Sequence, residues 1–102
     1  MTFEEIQKKI SPLLRAHGAE YAAIFGSAAR GEERLDSDLD VLARFKNDIS
    51  LLDHIGIAYE LEDALGKKVD LITERSLSKH VASNVKKDLK VLYGHGSRPD
   101  LQ

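Results

Sequence analysis

The segment Asp38-Leu39-Asp40-Val41-Leu42-Ala43-Arg44-Phe45 constrains the fold most, because it alternates in a way that only an extended strand can use. Leu39, Val41, Ala43 and Phe45 fall on one face, and Asp38, Asp40 and Leu42 on the other. One face must be buried, so helices have to cover it. The other face carries two carboxylates about 6.5 to 7 Å apart along the strand and pointing the same way.

A second strand is read from Tyr21-Ala22-Ala23-Ile24-Phe25, a short apolar run that stops at Gly26-Ser27. Ala28 to Arg30 is expected to form a short helix and Gly31 to Ser37 a polar loop. Val69-Asp70-Leu71-Ile72 reads as a third strand, with an acid inside an apolar run.

Helices are expected around these strands. Thr2 and Glu5 form a capping box ahead of Phe3, Ile6, Ile10, Leu13 and Leu14, with Pro12 predicting a kink or a short second turn capped by Ser11. Ser50 with Asp53 opens a helix that Gly66-Lys67-Lys68 closes. A last helix is predicted from Ser76 or Ser78, with Val81, Val85, Leu89 and Leu92 as its apolar stripe. The order predicts an α+β (α/β) fold, a small mixed β-sheet covered by helices, over residues 1–93; residues 94–102 are expected to be a flexible tail.

Composition narrows the function. Among 102 residues, 42% are apolar and 31% charged, as in a globular domain, and a net charge of -2 without a basic block argues against stable nucleic-acid binding. There is no cysteine, which excludes disulfides, a thiol nucleophile and Cys-ligated zinc. No apolar run approaches the roughly 20 residues that span a bilayer, and the acidic start is unlike a secretory leader, so a cytoplasmic location and no membrane partner are expected. His17, His54, His80 and His95 show no paired ligand spacing.

The chemistry concentrates in Gly26-Ser27, Asp38-x-Asp40 and Asp70. A glycine-serine turn between a strand and a helix offers backbone N–H groups to a phosphate, and the Ser27 hydroxyl adds a hydrogen bond. Clustered carboxylates repel one another unless a cation compensates them, and oxygen-only ligands select Mg2+ or Mn2+. Either element alone is commonplace, a turn or the solvent face of an edge strand. Their combination, with a third acid in another apolar strand, points to a site for a divalent cation and a phosphate.

The pattern Gly26-Ser27-Ala28-Ala29-Arg30-Gly31, Asp36-Ser37-Asp38-Leu39-Asp40 and Lys68-Val69-Asp70-Leu71-Ile72 resembles the polymerase-beta-like nucleotidyltransferase superfamily. Length and segment order narrow the resemblance to the minimal nucleotidyltransferase (MNT) antitoxins of HEPN/MNT toxin–antitoxin pairs. It implies Gly26 and Ser27 as the triphosphate-binding turn, Arg30 as a phosphate-pairing residue, and Asp38, Asp40 and Asp70 as catalytic metal ligands for two Mg2+ ions. It further implies AMP transfer from ATP to a tyrosine hydroxyl of a HEPN RNase toxin, held in a hetero-oligomer. The alternatives are an antitoxin that acts by binding alone and a subunit of a small-molecule nucleotidyltransferase.

Overall fold

The structure, a computed structural model, describes residues 2–26, 38–76 and 89–94. The first helix, α1, spans Phe3–Ala16, and the Thr2 hydroxyl accepts the Glu5 N–H at 3.1 Å, half of the expected capping box. Thr2 also donates weakly to the Glu5 carboxylate at 3.4 Å. Pro12 sits inside this helix, so the predicted restart at Ser11 does not occur. Ile10 and Leu14 flank Pro12 and are fully buried; anchoring both sides of it offsets the hydrogen bond that proline removes. Ser11 is itself buried rather than a cap, and its hydroxyl has no hydrogen-bond partner among the described residues.

Strand β1 covers Ala19–Phe25, β2 Leu39–Phe45 and β3 Val69–Thr73. Between β2 and β3 lies helix α2, Leu51–Leu65, with the Ser50 hydroxyl accepting the Asp53 N–H at 3.1 Å and Gly66 closing it in the left-handed region at φ +69°. That conformation suits glycine because no Cβ opposes it. Both boundaries match the sequence expectation.

The final helix does not extend as predicted. Glu74–Ser76 make a single 3-10 turn, and Leu92 lies in a fourth strand, β4, Lys90–Tyr93. Residues 77–88, which include Ser78, Val81 and Val85, lie outside the described residues. A short apolar run such as Val91-Leu92-Tyr93 has too few residues for its period to separate helix from strand. Here pairing with β1 wins, with Leu92 buried and the Tyr93 hydroxyl donating to the Ala19 carbonyl at 2.6 Å.

The described strands form one mixed sheet in the order β3-β2-β1-β4. β1 is antiparallel to β2 and β4, whereas β2 and β3 are parallel, as the α2 crossover between them requires. Leu39, Val41, Ala43, Ala22, Ile24 and Leu71 face α1 and α2, meeting Ile6, Ile10, Leu14, Ile57, Leu61 and Leu65 in the main core. The opposite face holds a smaller apolar cluster of Tyr21, Ala23 and Leu42. Asp40 and Asp70 share the parity of that second face, away from the helices.

Candidate active site

Parallel pairing brings the acids together. The Leu39 N–H donates to the Lys68 carbonyl at 2.9 Å, and from there the register sets Leu39 beside Val69 and Asp40 beside Asp70. Side chains directly opposed on neighbouring strands project to the same side, with backbones about 4.8 Å apart. Two predicted site residues from stretches thirty positions apart thus become neighbours. Asp38 stands exposed immediately before β2, two residues ahead of Asp40.

Gly26 closes the site from the other side. β1 runs antiparallel to β2 with Phe25 opposite Asp40, so the next residue passes across the carboxylate. Gly26 has φ +74°, and a Cβ built there would sit 2.5 Å from Asp40 Oδ2. The glycine is therefore required twice, by its backbone conformation and by the carboxylate beside it. Ser27 and Arg30 lie outside the described residues, as does the expected short helix at Ala28 to Arg30.

Electrostatics mark Asp40 as the centre of the cluster. Burial raises its carboxyl above the usual carboxylate range, and the charges of Asp70 and Asp38 push it further in the same direction. All three causes disfavour the ionised form, and each would be relieved by a cation. Among the described residues no group of three His, Cys, Asp or Glu side chains is gathered closely enough to enclose a metal ion. The acids instead form an open, oxygen-only edge. Such a donor set fits a hard divalent cation whose remaining positions are filled by phosphate oxygens and water.

Glu62 has a role here that its place in the helical pattern does not disclose. From the last turn of α2 its Oε2 accepts the Val69 N–H at 3.1 Å, pinning the first residue of β3 one position before Asp70. The only sequence signal is a carboxylate one turn before the Gly66 cap. His17 pairs with Glu60 at the surface, and part-buried His54 bonds to the Leu71 carbonyl at 2.7 Å. A cleft of about 320 Å3 opens near Phe45, Ser50, His54 and Thr73, at the far ends of β2 and β3 from the carboxylates.

A glycine turn that fronts acids on adjacent parallel strands, in a mixed sheet that the described residues back with two helices, suits the nucleotidyl-transfer class of protein. Residues 8–98 match the polymerase beta nucleotidyltransferase family, and the chain belongs to it. It is 48% identical over 77 residues to MJ0435 of Methanocaldococcus jannaschii, covering 76% of this chain and 83% of that protein. To the protein adenylyltransferase MntA of Thermococcus cleftensis it is 36% identical over 93 residues, covering 87% of this chain and 94% of the relative. A solved structure of the tri-AMPylated HEPN toxin of Shewanella oneidensis in complex with its MNT antitoxin superposes with a TM-score of 0.74 at 26% identity, covering 90% of this chain and 73% of that one. No helix among the described residues is long and apolar enough to cross a membrane.

Proposed function

We propose that this chain is an antitoxin that transfers AMP from ATP to a tyrosine hydroxyl of a HEPN RNase toxin and thereby neutralises it. The observation that carries the reading is the pairing of Asp40 with Asp70 on parallel strands beneath Gly26. The adenylyltransferase and AMPylated-toxin relatives supply the transferred group and the kind of acceptor.

In this reading Gly26 lets the backbone approach the triphosphate closely, and Ser27 and Arg30 donate to its oxygens. Asp38, Asp40 and Asp70 would hold Mg2+, which when bound supplies charge neutralisation at the phosphates and at the acceptor oxygen. Asp70, the exposed acid at the sheet edge, positions the tyrosine and takes its proton. The phenolic oxygen attacks the α-phosphorus, the bond to the β-phosphate oxygen breaks, and pyrophosphate leaves. Glu62 acts at one remove, holding the strand that carries Asp70.

The test uses the purified chain, ATP labelled at the α-phosphate, Mg2+ and a HEPN-type toxin that forms a complex with the chain. Label should appear on a toxin tyrosine and disappear with Asp38→Asn and Asp40→Asn. Neutralisation that persists with no label at all would replace the enzyme with a stoichiometric binding protein.

A further inference from the structure

The outer face of α2 exposes apolar side chains that the core does not use. Leu51 is 75% exposed, Leu52 80%, Tyr59 66% and Ile55 41%, whereas Ile57, Leu61 and Leu65 carry the buried side of the same helix. At 100° per residue the four exposed residues and Gly56 share one stripe. Water covers this stripe in the isolated chain, which is unfavourable for so many large apolar groups together.

Gly56 adds an independent observation. Glycine inside a helix is unfavourable relative to alanine, and here neither backbone conformation nor internal packing requires it: a Cβ at Gly56 would meet nothing within 4 Å. What a missing side chain does provide, in the middle of an exposed apolar stripe, is room for another backbone to approach closely.

Charge identifies what fits there. α2 carries Asp53, Glu60, Glu62 and Asp63 and no Lys or Arg, with Asp53, Glu60 and Asp63 exposed around the stripe. A second copy of this chain packed face to face across Gly56 would set Asp53 of one helix near Glu60 of the other, with like charges opposed. A partner helix with an apolar face and a Lys- or Arg-rich rim meets no such penalty. The five residues of the stripe are also fewer than the roughly 20 to 30 a side of a stable interface, so its occupant must reach beyond it. α2 packs against β3, the edge strand that bears Asp70, so a partner lying on α2 is one strand from the carboxylates.

From these features we propose that the Leu51, Leu52, Ile55 and Tyr59 face, opened at Gly56, is the docking surface for a basic-rimmed amphipathic helix of the toxin that receives AMP. The proposal rests on the transfer reading above for the identity of that partner. Docking on the helix layer and reaction on the opposite face of the sheet would make the toxin clasp the β3 edge.

The experiment measures the Kd of the toxin for the full-length wild type and for Leu52→Glu, Tyr59→Glu and Gly56→Gln, alongside AMP transfer and sedimentation of the free chain. The two charged variants should weaken binding at least about tenfold and raise KM for the toxin equally, leaving kcat at saturating toxin and KM for ATP unchanged. Gly56→Gln should raise the thermal midpoint of the free chain while weakening the complex, a combination that general loss of structure does not produce. Unchanged Kd in all three variants overturns the proposal, and so does a wild-type homodimer that Leu52→Glu dissolves. Wild-type binding that the variants lose, without any AMP label on the toxin, would sustain the docking face and reject the transfer reaction instead.

Discussion

Replacing Asp40 by Asn should make the protein more stable and inactive at once. Asp40 is half-buried, sits beside Asp70 in register, and has its carboxyl raised by burial, by Asp70 and by Asp38, in that order. Two unit charges about 5 Å apart repel by roughly 3 kcal/mol at an effective dielectric of 20 and by under 1 kcal/mol in bulk water. Asp70 is exposed, so the value lies toward the watery end, and removing the Asp40 charge should gain about 1 kcal/mol at neutral pH. For a domain of this size that is a rise in Tm of roughly 4 to 8 °C. The sign with pH follows from linkage. A carboxyl raised in the folded state holds its proton more tightly there than when unfolded, so ionising it costs stability as pH climbs from the ordinary value of 3.8 through the raised one. Thermal unfolding of wild type and Asp40→Asn at neutral pH and below pH 3.8 would show the variant's advantage at the first and its loss at the second, where both side chains are neutral. AMP transfer by the same variant should fall by at least about 100-fold. A variant no more stable than wild type at neutral pH would refute the idea that the site stores unrelieved repulsion.

Other perturbations separate the roles of neighbouring residues. Gly26→Ala should destabilise the chain by about 1 to 2 kcal/mol through its positive φ alone and, by displacing the Asp40 carboxylate, depress AMP transfer; denaturant titration and the labelling assay read the two effects. Ser50→Ala removes the α2 cap at the end of the helix remote from the acids, so about 1 kcal/mol of stability should be lost with transfer per folded molecule unchanged. Glu62→Ala deprives the Val69 N–H of its acceptor and should cost about 1 to 2 kcal/mol while lowering kcat more than it raises KM for ATP, since Asp70 follows directly on the freed strand end. Steady-state kinetics on the folded variant checks that division.

Much of this arrangement is legible in the chain because local and global signals agree. Ser50 and Gly66 bound α2 with side-chain and backbone chemistry that needs no tertiary context, and the alternation through Leu39, Val41 and Ala43 declares which face of β2 is buried. The three acids could be singled out because charged residues interrupt apolar strands at spacings that packing alone does not require. Three features were not legible. The restart expected at Ser11 follows from what proline does to an isolated helix, but burial of Ile10 and Leu14 on either side holds α1 together. Leu92 continues a helical spacing from Val85 and Leu89, and only the open edge of β1, invisible in a linear sequence, draws it into a strand. The Glu62 contact with Val69 was hidden for a related reason, since it depends on how α2 hands the chain over to β3.

The pairing of β2 with β3 couples folding fidelity to chemistry. The same odd-even rhythm that buries Leu39 and Val41 aims Asp40 outward, so sliding β2 by a single rung would drive its acids into the oily layer beneath the helices. Such a misaligned chain could not survive as a stable, well-formed but inert impostor. Any molecule that folds at all has its carboxylates on the side opposite the helices, and the fold inspects its own proposed active site before any nucleotide arrives.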